Sequence, residues 1–377
     1  MKQFTVVLVT LFSLSQITFA IPRFSLMSGE SCSSCHFNPT GGQLRSEEGW
    51  AKGKNALRMF KSEGNEQLEI SPKIGKNIYF GADFRSQYLA VFMDTLGSKS
   101  GFQNMTGSLY FGVQASEKVD LYASYEFLYK TWEAYAIAKV FPHDGYIKAG
   151  SFRPNFGLGL DDHTAYTRGG DEGLLSGAGS GFGFKSDYHE NGVELGYYFG
   201  DNLFVTGSIA TPNQQYQNTA NPFQRDPNYT VSAQFLNSVN EEYNYMLGAS
   251  YANTKSAWAG TFSKAYKGAG FAGFGFKGFS LLAEYDLGKG LYLGDDTTTT
   301  ALMIEASYRL TKGLDAMVRY DGFLENKDNS SSKYEHIILG LNWYPYSFIE
   351  IMPQYRIYSE TPKIPNNSFL VQFHIWY

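Results

Sequence analysis

Val119-Asp120-Leu121-Tyr122-Ala123-Ser124-Tyr125-Glu126-Phe127 alternates without a break. In an extended chain Val119, Leu121, Ala123, Tyr125 and Phe127 share one face, and Asp120, Tyr122, Ser124 and Glu126 share the other. The split returns downstream. Leu302, Ile304, Ala306, Tyr308 and Leu310 oppose Met303, Glu305, Ser307 and Arg309, and Ala316, Val318 and Tyr320 oppose Asp315, Met317, Arg319 and Asp321. A soluble β-sandwich would bury the apolar face in a shared core. Here the polar face carries charges of both signs on strand after strand, as the wall of a hydrated lumen would.

Composition points the same way. Aromatic residues make up 17% of the 377, with 28 Tyr and 30 Phe, and 40 Gly are spread along the chain. That mixture suits a wall with a lipid face, a water face and aromatic girdles between them. Sixteen strand-like segments can be marked between 77-92 and 368-377, among them 243-252, 256-266 and 273-287. An even number brings both ends to one side. The connections at Asp201, Lys312-Gly313 and Pro345-Tyr346 are then short and periplasmic, and 93-102, 156-186, 212-228, 288-299 and 325-333 lie outside. Pro353 falls within a strand although it cannot donate to the ladder. The sequence therefore predicts an all-β, porin-like transmembrane barrel of sixteen antiparallel strands. The chain ends on Phe369-Leu370-Val371-Gln372-Phe373-His374-Ile375-Trp376-Tyr377, which resembles the C-terminal insertion signal of outer-membrane proteins.

Residues 1-20 read as an export signal. Lys2 supplies the positive start, Phe4 to Leu14 the apolar stretch, and Thr18-Phe19-Ala20 the small-residue cleavage site. No other run is long and apolar enough for a transmembrane helix. A net charge of −5 gives no basic footprint, so nucleic acid is not an expected partner.

Residues 21-76 precede the barrel of 77-377 and carry Cys32-Ser33-Ser34-Cys35-His36, with the only two cysteines in the chain. Two thiols two residues apart can add across both vinyl groups of one porphyrin, and the adjacent histidine then meets the iron. A redox disulfide or half of a zinc site would leave His36 unexplained. The reading is one covalent haem c held by Cys32 and Cys35, with His36 as axial ligand, in a short α-helical segment. One helix is predicted over Leu44 to Lys61, with Trp50, Leu57 and Phe60 as packing residues. Met59 and Met27 are the candidate distal ligands; a histidine, a lysine or an open position are the alternatives. So small a segment buries little surface alone and is expected inside the lumen or at the periplasmic mouth.

The chain resembles two known families joined end to end. Its front is similar to the monohaem domain of the fused outer-membrane cytochrome-porins, the family associated with iron oxidation at the cell surface, through Cys32 to His36 near the mature N-terminus and the porin behind them. Its barrel is similar to phosphate-selective-type porins through Gly150-Ser151-Phe152-Arg153-Pro154-Asn155-Phe156-Gly157-Leu158 and the final strands. The run Phe37-Asn38-Pro39-Thr40-Gly41-Gly42 departs from that of the iron oxidases, which bears on substrate more than on architecture. The resemblance implies a protein of the Gram-negative outer membrane. It would move electrons between an extracellular donor or acceptor, Fe(II) for instance, and periplasmic carriers.

The long connection 156-186 stands where porins fold a loop inward. It carries Asp161, Asp162 and His163, whose oxygen and imidazole groups suit a divalent metal such as the donor iron, or else pin the loop. Mixed charges on the polar faces, Asp83, Arg85, Glu305 and Arg309 among them, argue against phosphate selectivity, for which a cationic ladder is expected. Three functions remain open: electron transfer through the lumen, a diffusion porin with a haem plug or sensor, and a peroxidase-like haem with an open sixth position.

Overall fold

The computed structural model describes residues 22–60, 71–93, 97–160, 162, 164–170, 181–184, 188–212, 227–239, 242–258, 261–291 and 297–377. The expected leader lies outside them. Sixteen strands, from β2 (Ile78–Val91) to β17 (Ser368–Trp376), each pair antiparallel with their chain neighbours. A two-residue strand, β1 (Lys73–Ile74), pairs with the start of β2. The last strand returns to the first, in register from Ser368↔Val91 to Trp376↔Asp83, and the sheet is a closed barrel. No helix among the described residues is long and apolar enough to cross a membrane.

The alternation read from the sequence sorts the wall as expected, and inverts a soluble protein. Leu121, Ile304, Tyr308, Val318 and Phe373 stand exposed on the outside, while Asp120, Glu305, Asp315, Arg319 and Asp321 are buried on the inside. Two expected breaks fall inside strands, and the first, at 253-255, lies within β10 (Tyr243–Trp258). The predicted break at 267-272 lies within one strand, β11 (Thr261–Phe276), and the turn before β12 (Phe279–Lys289) falls at Lys277-Gly278. Pro353 does sit in a strand, β16 (Ile349–Thr361). It pairs with Val371 on one side, and the register to β15 (Asn329–Trp343) skips from Gly340↔Gln354 to Trp343↔Ile351 on the other. Proline therefore costs the ladder one interruption rather than a strand.

Residues 22–60 form a plug inside the short-turn end of the barrel. It comprises α1 (Pro22–Ser28), a single turn α2 (Cys32–Cys35), and α3 (Glu47–Ala51) running on into a π-type turn over Lys52–Ala56. The predicted helix over Leu44 to Lys61 is thus shorter at both ends. Leu44 and Arg45 are extended, because Phe37 N–H donates to the Leu44 carbonyl at 3.1 Å and His36 bridges Arg45. Ser46 then caps α3, its hydroxyl accepting from Gly49 N–H at 3.1 Å. Trp50 packs on Phe348 and Tyr377 as expected of a packing residue. Phe60 is half exposed beside Tyr346.

Glycines of β11 also seat the plug. Gly268 and Gly270, inside the break expected at 267-272, do not touch it, whereas Gly273 and Gly275 just beyond admit it. A Cβ at Gly275 would run into the carbonyl of Leu26, and one at Gly273 would sit 2.6 Å from the Leu26 side chain. On the opposite arc a Cβ at Gly112 would meet Leu44 and would lie 3.1 Å from Phe37. Replacing Gly275 by Val overpacks this seat, at a cost of about 1–3 kcal/mol, which raises the undocked fraction of the plug on the order of 10-fold or more. Gly275→Val should therefore be cut faster by protease within residues 22–60, with the barrel's unboiled gel migration unchanged. Equal protection in both proteins would contradict this seating.

Candidate haem segment and lumen

One helical turn sets the motif. Ser31 precedes it in an extended conformation, and His36 N–H closes the turn on the Cys32 carbonyl at 2.8 Å. Cys32 and Cys35, three residues apart, share a helix face. The chain then leaves the helix at His36, with φ −117° and ψ 147°. Three contacts hold this shape: Ser46 N–H on the Cys35 carbonyl at 3.0 Å, the Ser46 hydroxyl on the Ser34 carbonyl at 2.5 Å, and the His36–Arg45 bridge. Gly49 lies so close that any Cβ there would collide with the Cys35 carbonyl. The motif is therefore clamped against the start of α3.

Lys52 pairs with Glu30, and with Glu48 at 3.1 Å, and its Nζ stands 3.9 Å from Cys35 Sγ. Burial pushes the Cys32 thiol up to about 11. The Cys35 thiol is also pushed up to about 11, by burial first and by the Glu48 carboxylate second. Burial also lowers Lys52 from its usual value. All three shifts favour the neutral form, as burial does for thiols and amines alike.

Two cavities meet at the motif. One, of about 220 Å³, is lined by Cys32 and His36 together with Arg153, Glu133 and Asp83 of the wall. The other, of about 410 Å³, is lined by Cys35, His36 and Met27 together with Arg85, Glu350 and Arg356. His36 and Arg45 border both. The larger cavity is of the size that holds small ligands and cofactors. Seven arginine and lysine side chains face it, against four carboxylates. This donor set fits haem c: two thiols and an imidazole on one short segment, thioethers nearby, and a cationic surplus for two propionates.

The structure separates the two candidate distal ligands. Met27 lies on α1 and lines the cavity that His36 lines. Met59 lies at the rim, its N–H donating to the Tyr344 carbonyl at 2.7 Å, and its backbone crowding Gly313 in the turn before β14 (Leu314–Asn326). Sequence reasoning missed Met105, Met317 and Met352, three wall methionines that face the same cavity. Only strand parity could have pointed to them.

The connection after β6 (Tyr146–Phe152) does fold inward. Phe156, Leu158, Tyr166, Phe182 and Phe184 are buried. Gly157 N–H donates to Ser250 Oγ and Leu158 N–H to Glu284 Oε2, both at 3.0 Å, and Arg168 pairs with Glu284 at 3.0 Å. Of the proposed metal cluster, Asp161 and His163 lie outside the described residues. Asp162 accepts from Arg319 at 2.7 Å and from the Thr164 hydroxyl at 2.6 Å. These contacts give Asp162 a loop-pinning role. No group of three or more His, Cys, Asp or Glu that could hold a metal occurs among the described residues.

Burial and the raised thiol values have a measurable consequence in protein made without haem. At pH 8 both cysteines should alkylate on the order of 100-fold more slowly in the folded barrel than after denaturation, since two pH units separate the buried thiols from ordinary ones. Comparable rates would mean that the motif hangs in solvent.

Among solved structures the chain is similar to the outer membrane channel DcaP of Acinetobacter baumannii, with a TM-score of 0.58 and 13% identity over 85% of this chain and 100% of that one. It is similar to an anion-selective porin from Comamonas acidovorans, with 0.57 and 12% over 80% and 98%. The same holds for OmpF of Salmonella typhi in its complex with daunomycin, with 0.53 and 14% over 80% and 98%. No protein-family model and no curated protein matches the sequence. At such identities the likeness is one of fold, and the fold is that of the porin-like outer-membrane channels.

Proposed function

We propose that this chain is a porin-type channel of the Gram-negative outer membrane whose lumen is narrowed by a plug carrying one covalent haem c. The observation that carries the channel reading is the wall itself: a closed sixteen-strand barrel, apolar outside, with an inner face of mixed charge and two cavities beside the plug. The short-turn end, where the plug sits, faces the periplasm in this reading. Arginine and carboxylate groups interleave along the inner wall, as in Arg85 beside Asp83 at 3.0 Å and Arg309 on Asp315 at 2.8 Å, so the path suits small polar solutes, with a cationic surplus at the larger cavity.

One observation favours a second reading, electron transfer. The Cys32 to His36 motif is clamped within the lumen, with a cavity on each side, rather than left at the end of a tether. When bound, haem c supplies one-electron redox chemistry. This chain's own residues would attach it through Cys32 and Cys35, ligate it through His36, and hold water back through the packing of Trp50, Leu44 and Phe37. Periplasmic carriers and an extracellular donor such as Fe(II) are the partners in that case, with Asp161, Asp162 and His163 as the outer donor contact.

Single-channel recording on the haem-loaded full chain separates the two readings. The channel reading expects small steps from wild type and larger ones from Gly275→Val, in which the plug is unseated. If neither protein conducts, and wild type in liposomes passes electrons from external reductant to an enclosed acceptor, electron transfer replaces it.

A further inference from the structure

The helix α1 is held to the wall through Leu26, and at its start Arg23 Nη2 donates to the Tyr344 hydroxyl at 3.2 Å. Leu26 is fully buried against Gly273 and Gly275 of β11, and its carbonyl accepts from Asn244 Nδ2 at 2.8 Å. On a helix the next residue is turned by about 100°, so Met27 is carried off the wall. Arg23, four residues earlier, shares Met27's face. Both line the larger cavity, together with Cys35 and His36. α1 therefore presents a thioether and a guanidinium to the space that the haem motif borders.

We propose that Met27 supplies the sixth ligand to the haem iron, an inference that rests on the haem reading above. A thioether is neutral and soft, so it binds iron without losing a proton and without adding charge to the lumen. Its sulfur has only a weak competing contact: Arg309 Nη2 lies 3.9 Å from Met27 Sδ, while the same guanidinium is held by Asp315 at 2.8 Å. Met27 can leave that contact without stranding Arg309. Met59 has no comparable claim, because its backbone is tied to the rim and its side chain is not among those lining the cavity. Met105, Met317 and Met352 do line it from the wall. Met317, however, packs its methyl over the inner face at Gly340, 3.2 Å from where a Cβ would stand there. Met27 is the thioether that belongs to the same segment as His36, so the two ligands stay together whether or not the plug is fully seated.

The test is the ferric spectrum of the purified full-length protein. Wild type should show the far-red sulfur-to-iron charge-transfer band, and Met27→Leu should lose it, with a lower midpoint potential and undiminished covalent haem staining. Met59→Leu should keep the band. Met27→His, which restores a strong ligand, should return a low-spin six-coordinate spectrum without the band. The proposal is overturned if wild type holds covalent haem but lacks the band, or if the band survives Met27→Leu. It is equally overturned if the band is lost only on replacing Met105, Met317 or Met352. Absence of covalent haem from wild type is a different result, because it removes the haem reading itself and the proposal with it.

Discussion

Closure of the sheet is the constraint from which the remaining structure follows. In hydrocarbon every unpaired N–H or C=O costs several kcal/mol, and a sheet with two free edges would leave two rows of them. Pairing β17 with β2 over nine residues removes both rows. Once the wall is closed, side-chain parity fixes which residues meet lipid and which face inward. Polar groups such as Lys148 and Glu194 are then confined to the interior, where they pair at 2.6 Å with both side chains fully buried. The barrel interior is thus a second solvent, and anything held there must suit it.

The plug suits it by mixing contacts. Its apolar residues settle where the wall offers glycine, Leu26 at β11 and Leu44 with Phe37 at β3 (Lys99–Gln114). Its polar residues reach wall polar groups, as in Gln43 on Ser108 at 3.1 Å and Lys148 on Thr40 at 3.4 Å. An ion pair deep in a core is costly if one partner is lost, yet here the wall pairs, such as Lys148 with Glu194, are complete without the plug. An undocked plug would therefore leave hydrated pairs rather than stranded charges. That permits a plug that is firmly seated without being part of the barrel's own stability.

Much of this was legible in the chain because strand parity is local. All sixteen strands were predicted, and the inward turn of the loop after β6 followed from its place and length. The errors fell where a distant segment determines the local role. Gly273 and Gly275 show no role in the sequence until Leu26, some 250 residues earlier, is seen to need the space. Leu44 and Arg45 look helical until they pair with Phe37 and His36. The choice between Met27 and Met59 is of the same kind: both are near the motif in sequence, and only the seat of α1 places one beside the cavity and the other at the rim.

Plug and loop also meet. Leu26 of the plug and Leu158 of the loop share one apolar cluster with Leu236, Met246, Phe271, Leu282 and Met303 of the wall. Two more of the loop's anchors, Ser250 and Glu284, lie on β10 (Tyr243–Trp258) and β12, the strands flanking the one that seats Leu26, while Arg319 holds Asp162 from β14. Plug and loop thus share these strands, although the plug also rests on β3 through Leu44 and Phe37. The larger cavity reaches from Leu282 of this cluster across to β2, β16 and β17. Arg85, Gln87, Arg356, Gln372 and His374 line the larger cavity there, and none of them belongs to the shared cluster. Passage and cofactor would therefore draw on the same space beside the plug. A filled cavity would leave a solute little room beyond the smaller space at Cys32, so the two readings of this barrel compete for one volume.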